Sequence, residues 1–270
     1  MDKELQIAKD LAMKAGEILL RHYGGTLQIQ WKGKNDPVTA ADREASRFIV
    51  EGLRLHFPND AILCEEEQDD LQRLSNARVW FVDPMDGTKE FINRNGEFAV
   101  MIGLAIDGDP HLGVVYRPTE ELLYFASHGS GAYRVLKGQT LRLHVSSVDA
   151  PADATMVLSR SHPSAATEAI RNLVGIRNTI RLGSIGLKVG LLCEGHAHVY
   201  VQGRGTSLWD TCGPEAILRE AGGKMTDKYG KLLSYSTPEV RNLNGVIATN
   251  GILHETVVEA AVTITKELHS

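Results

Sequence analysis

Hydrophobic residues recur with helical spacing over residues 2–22, where Ile7, Leu11, Ala15, Ile18 and Leu19 share a face and Gly24-Gly25 supplies a stop. The same spacing predicts a second amphipathic helix over 39–56, with Ala45, Phe48, Ile49, Leu53 and His56 on one face and Pro58 just beyond its end. From Ala61 the period changes. Short runs at 61–64, 79–83, 97–106, 111–116, 121–126, 131–135 and 140–145, separated by turn sequences such as Asp107-Gly108-Asp109-Pro110, read as a largely antiparallel sheet. Beyond Pro151 the pattern alternates: strand 155–159, helices near 164–174 and 184–194, strand 197–201, helix 211–221, strand 245–249 and a last helix over 251–267. Such alternation implies a second sheet covered by helices. Two halves are expected, 1–150 with the antiparallel sheet and 151–270 with the alternating elements, joined by a packed junction and no linker.

Composition narrows the class. A chain of 270 residues with 43% hydrophobic content has enough apolar material for a substantial core. Its 29 basic and 34 acidic residues leave a net charge of −5, which gives no global electrostatic case for a nucleic-acid polymer or an anionic membrane. The cysteines, Cys64, Cys193 and Cys212, are odd in number and far apart, against a disulfide framework or a zinc site. No apolar run approaches the ~20 residues that cross a bilayer, and the N-terminus lacks a signal-peptide pattern. A soluble cytoplasmic protein is expected.

The chemistry concentrates in Asp83-Pro84-Met85-Asp86-Gly87-Thr88-Lys89-Glu90-Phe91, which follows the apolar run Val79-Trp80-Phe81-Val82. Two carboxylates three residues apart at the end of a buried strand repel each other and are costly to desolvate unless a cation neutralises them; a hard divalent ion such as Mg²⁺ suits oxygen ligands. Gly87 and Thr88 add unhindered N–H groups and a hydroxyl at a helix start, where an anion is favoured. Asp-Pro-x-Asp-Gly is also an ordinary turn sequence. Acids at two other strand or loop ends, Glu65-Glu66-Glu67 after Cys64 and Asp210 after Trp209, favour the metal reading.

These segments, with Lys32, Asp36-Pro37-Val38-Thr39-Ala40-Ala41-Asp42 and the run from Trp209 to Asp227, resemble the lithium-sensitive, Mg²⁺-dependent inositol monophosphatase superfamily over nearly the whole length. Lys89-Glu90-Phe91, where inositol phosphatases usually carry Thr-Asn-Phe, is similar to the CysQ-type 3'(2'),5'-bisphosphate nucleotidase branch. Ser159-Arg160-Ser161-His162 and Gly183-Ser184 with Lys188 are similar to it as well. Asp36 departs from the Ser often found before Pro-Val-Thr; it has Lys32 nearby as a pairing partner, or biases the weakest metal site.

The resemblance implies an α+β fold, the layered αβαβα sandwich of inositol monophosphatase-like proteins, with the site between the two halves. It implies Mg²⁺-dependent removal of the 3'-phosphate of 3'-phosphoadenosine 5'-phosphate (PAP), leaving AMP; homodimers are common among the inositol-specific members. Two or three Mg²⁺ ions are implied: one on Glu65, Asp83 and the Met85 carbonyl, a second shared by Asp83 and held by Asp86 and Asp210, a third and weaker one near Glu65. The implied catalytic set is Asp42, Thr88 and Glu65, with Thr88 contacting the attacking water and Asp42 orienting Thr88 or a metal-bound water. Gly87 and Thr88 are implied to hold the scissile phosphate. Lys188 and the free N–H groups of Gly183 and Ser184 would take the other phosphate, with Ser159, Arg160 and His162 against ribose, base or phosphate.

Each residue also has an ordinary reading. Asp42 fits a first-turn helix acid, Thr88 and Asp210 fit helix caps, Lys188 a solvent-facing lysine, His162 a surface or core residue, Glu66 and Glu67 solvated loop charges. Cys64 fits an inert buried thiol, and Trp209 packs to position Asp210 or stacks on a base. The same site also suits an inositol monophosphatase, a broad sugar-phosphate phosphatase, or a nucleotide-sensing module without turnover. The full set of acids with Thr88 favours an enzyme.

Overall fold

The computed structural model describes residues 1–25, 29–33, 36–203 and 205–267; the side chains of Lys32 and Asp36, and any pairing between them, lie outside the described residues. Helix α1 (Asp2–Tyr23) buries Leu11, Ala15, Ile18 and Leu19 and ends at Gly24. A two-stranded antiparallel ribbon, β1 (Ile29–Gly33) and β2 (Asp36–Thr39), leads into α2 (Ala40–His56). Thr39 caps that helix, its Oγ1 accepting from the Ala41 N–H at 3.2 Å.

There follow β3 (Ala61–Cys64), β4 (Arg78–Asp86), the short α3 (Thr88–Ile92), β5 (Ala99–Ile106), β6 (Asp109–Arg117), β7 (Leu122–Ser127), β8 (Gly131–Leu136) and β9 (Gln139–Leu143). These seven strands form one sheet in chain order, antiparallel except for the parallel β3–β4 pair. The second sheet is built from β10 (Thr155–Ser159), β11 (Asn178–Leu182), β12 (Val199–Gln202), β13 (Lys224–Thr226) and β14 (Val246–Thr249), in the order β11-β10-β12-β14-β13. Between its strands run α4 (Ala165–Val174), α5 (Ile185–Cys193) and α6 (Leu208–Glu220), and α7 (His254–Glu267) closes the described chain.

The core clusters define five layers. Residues of α1 and α2 pack with Trp80, Val82, Ile102 and Val114 on one face of the large sheet. Met101 and Val115 on the other face meet Leu187 and Leu192 of α5 and Ile217 of α6, which also pack on Val157, Tyr200 and Ala248 of the small sheet. Ile170 of α4 and Val257, Ala261 and Ile264 of α7 cover the outer face of that sheet. The result is the expected αβαβα sandwich.

Helix α6 lies unusually close to the large sheet because glycines meet there. A Cβ built on Gly113 of β6 would stand 2.0 Å from the Gly213 carbonyl oxygen, and one on Gly103 of β5 would stand 2.5 Å from the Gly213 nitrogen. Only backbone fits between them. This contact fixes the helix whose first turn carries Asp210.

Candidate active site

In a regular strand, residues three apart point to opposite faces. Asp83 pairs with Met101 of β5, whereas Asp86 pairs with Ala99, so β4 spends three residues where its partner spends two. That bulge turns both carboxylates to one side, and Pro84 is tolerated there because the ladder is already broken. The chain turns only at Gly87, where φ is 101°, a left-handed value that favours glycine. The Met85 N–H folds back on Asp83 Oδ1 at 2.9 Å.

Asp210 arrives from the other sheet's side. It is the third residue of α6, not its cap; Ser207 precedes the helix, and Asp210 Oδ2 accepts from the Ser207 N–H at 2.5 Å. One carboxylate oxygen from each of Asp83, Asp86 and Asp210 lies within 4.8 Å of the others. Glu65, just past β3, lines the same cavity. Burial, then the charges of Glu65, Asp86 and Asp210, hold the Asp83 carboxyl well above its ordinary value. Burial and the charges of Asp86 and Glu65 do the same at Asp210. Crowded, desolvated, oxygen-only donors of this kind fit a hard divalent cation.

Thr88 opens α3 beside this cluster. Its hydroxyl donates to Asp42 Oδ1 at 3.2 Å and to the Met85 carbonyl at 3.4 Å. Asp42 Oδ2 accepts from both the N–H and the hydroxyl of Thr39 at 2.7 Å, so the same side chain caps α2 and holds Thr88. Asp42 is not in the cavity wall and reaches it through Thr88. Burial is the main cause that pushes its carboxyl up to about 7, with Glu66 and Glu65 adding to the shift and Thr39 opposing it. Glu66 thus acts on Asp42 by charge. Cys64 beside Glu65 is buried against Ser46, and desolvation pushes its thiol up to about 11, an inert state.

The cavity, about 1080 Å³, is lined by Met85, Gly87, Thr88, Lys89, Ser159, His162, Gly183, Ser184 and Lys188 among others. Trp209 edges it and packs on the cluster that holds Leu63 and Phe81. Lys188 is buried, at 3% exposure, and not solvent-facing. Burial lowers its ammonium pKa, while Asp86, Glu90, Asp210 and Glu97 pull it the other way.

Two expectations are corrected. The Gly183-Ser184 turn does not leave its Gly183 N–H free for an anion: the Gly183 N–H donates to Glu97 Oε2 at 2.7 Å, Ser184 Oγ and the Gly186 N–H donate to Asp86 Oδ2 at 2.6 and 3.0 Å, and the Leu187 N–H donates to Ser184 Oγ at 3.2 Å. Carboxylates of the chain itself occupy the first three of these donors. Arg160 does not line the cavity; both ends of its guanidinium fork bind Glu97, at 2.7 and 2.6 Å, and it also donates to the Arg181 carbonyl at 2.8 Å. Ser159 does line it, but its hydroxyl accepts from the His162 N–H at 3.2 Å and holds the turn.

Glu90 and Glu97 were missed as structural parts of this wall. Glu90 is buried and accepts from the Ser161 hydroxyl in a short bond, and a Cβ on Gly183 would stand 2.3 Å from Glu90 Cγ. The marker Lys89-Glu90 was visible in the sequence, but a contact spanning 71 positions was not.

The profile of the inositol monophosphatase family matches residues 1–266. The chain belongs to that family. Among its members, the 3'(2'),5'-bisphosphate nucleotidase CysQ of Escherichia coli (strain K12) is 39% identical over 237 residues, 87% of this chain and 94% of that one. CysQ of Salmonella typhimurium is 40% identical over the same shares. Of solved structures, an IMPase from Thermotoga maritima superposes with a TM-score of 0.84 at 29% identity, covering 99% of both chains. CysQ from Bacteroides thetaiotaomicron gives 0.78 at 33% identity over 92% of this chain and 97% of that one. No helix among the described residues is long and apolar enough to cross a membrane.

Proposed function

We propose that this family member is a Mg²⁺-dependent 3'(2'),5'-bisphosphate nucleotidase that hydrolyses the 3'-phosphate of PAP to give AMP and phosphate. The observation that carries the reading is the convergence of Asp83, Asp86 and Asp210 within 4.8 Å at the wall that also carries Thr88, behind which Asp42 is buried. The substrate choice is supported by the CysQ relatives, named for that activity.

Asp83, Asp86, Asp210, Glu65 and the Met85 carbonyl would hold the Mg²⁺ ions, which when bound polarise the phosphate and lower the pKa of the attacking water. Thr88, by donating to Asp42, leaves its own oxygen lone pairs to accept from that water and aim it. Asp42, with a carboxyl near neutrality, is able to hold a proton passed through the Thr88 hydroxyl. Gly87, whose left-handed turn opens the strand end, and Thr88 present the N–H groups that meet the scissile phosphate. Lys188 balances the carboxylates around it.

Phosphate release from PAP, inositol 1-phosphate, fructose 1,6-bisphosphate and AMP, each with and without Mg²⁺, tests the reading. PAP hydrolysis that needs Mg²⁺ is expected, with the other three slower. Preferred hydrolysis of inositol 1-phosphate would replace it with an inositol monophosphatase reading.

A further inference from the structure

A substrate with two phosphates needs a cationic partner for the one that is not cleaved. The Gly183 N–H and the Ser184 hydroxyl are taken by Glu97 and Asp86, and buried Lys188 has the charges of four carboxylates around it. Lys89 differs. Its Nζ lies 2.9 Å from His162 Nε2, both residues line the cavity, and its partner is an imidazole, not an acid. Among the described ion pairs none uses Lys89. His162 is held in place by the Ser159 hydroxyl on its N–H, and the neighbouring Ser161 by buried Glu90. Burial, and then the nearby charges of Lys89 and Lys188, lower the His162 pKa, while the charge of Asp86 opposes them. At this cavity wall the Lys89 ammonium can donate a charge-assisted bond to one phosphate oxygen while an imidazole N–H of His162 donates to another.

We propose that Lys89, together with His162, binds the phosphate that is not cleaved and so sets the preference for bisphosphorylated nucleosides, with Glu90 as the positioning residue that pins the Ser161-His162 segment. This rests on the nucleotidase reading. It also gives Lys89-Glu90 a physical reason: the lysine supplies the charge and the glutamate fixes the loop that carries its partner. Two other basic residues, Lys228 and Arg241, line the same cavity from the 227–241 segment and are the competing candidates.

The test compares kcat/KM on PAP and on adenosine 3'-monophosphate, which lacks the phosphate in question, for the wild type, Lys89→Met, Lys89→Arg, Lys228→Met and Arg241→Met. Both substrates are read on one preparation, so loss of folded protein cancels. Lys89→Met should lose ~10–100-fold more on PAP than on the monophosphate, and Lys89→Arg should restore most of that preference. The preference should survive Lys228→Met and Arg241→Met. A Lys89→Met enzyme that keeps the wild-type preference, or loss of that preference in Lys228→Met or Arg241→Met instead, overturns the inference alone. A wild type with no preference for PAP over the monophosphate overturns the nucleotidase reading and the inference with it.

Discussion

The hydroxyl of Thr88 donates to Asp42 Oδ1 at 3.2 Å, joining the first turns of two helices 46 positions apart in sequence. Thr88→Ala removes the group proposed to aim the water and leaves the cap of α2 intact, since Thr39 and Asp42 still pair. Turnover should fall by ~10²–10⁴ with a smaller change in KM. A variant with normal turnover and only a lowered melting temperature would reduce Thr88 to a structural residue.

The acid cluster should behave differently with and without metal. Asp83 is buried beside Glu65, Asp86 and Asp210, so Asp83→Asn removes repulsion from the metal-free protein while deleting a proposed ligand. Thermal unfolding should show the wild type stabilised by added Mg²⁺, because a ligand that binds only the native state raises its stability. Asp83→Asn should melt at or above the metal-free wild type, gain little from Mg²⁺ and lose turnover by orders of magnitude. A full Mg²⁺ response in that variant would remove Asp83 from the metal site.

Gly113→Ala tests the approach that brings Asp210 to the sheet. The new methyl would meet the Gly213 carbonyl at 2.0 Å, backbone against backbone, so neither side can yield. The expected cost is about 3 kcal/mol or more by denaturant unfolding. Weakened Mg²⁺ binding should accompany it, since α6 must shift. An unchanged midpoint would contradict the close packing.

His254 gives a pH signature away from the site. Its ring is buried between the hydroxyls of Thr226, 2.9 Å from Nε2, and Thr249, 3.0 Å from Nδ1. Desolvation, with the charge of Lys224 as the lesser cause, lowers its pKa from 6.5 to about 4. The unfolded chain therefore binds a proton that the folded one refuses across that window. Stability from this group is complete above the unfolded value and is lost as pH falls from 6.5 towards 4, by up to about 3 kcal/mol. Wild type minus His254→Gln in urea unfolding across that range should show the slope; a difference flat with pH would contradict it.

The helices α1 and α2 were legible because each buries one stripe and wets the other. β11 was not, since four of its five residues are exposed and the edge strand shows no alternation. β13, only three residues long, and the ribbon β1–β2 left no usable period either. Helix α6 begins at Leu208, three residues before the expected 211, and Ser207-x-x-Asp210 carries the box spacing that marks this start. The metal-type acids were legible because their chemistry resides in residue type and position at strand ends. That the Gly183 N–H and the Ser184 hydroxyl are taken is not legible, because what fills them, Glu97 and Asp86, arrives through tertiary structure from 86 and 98 positions away.

The central claim is a bisphosphate nucleotidase working through an acid-bound metal. Its sharpest test is kcat/KM of the wild type on PAP and on inositol 1-phosphate, measured with Mg²⁺ and again with excess chelator. PAP should be preferred by orders of magnitude, and both activities should vanish with chelator. Higher efficiency on inositol 1-phosphate, or PAP hydrolysis that persists in chelator, would contradict it.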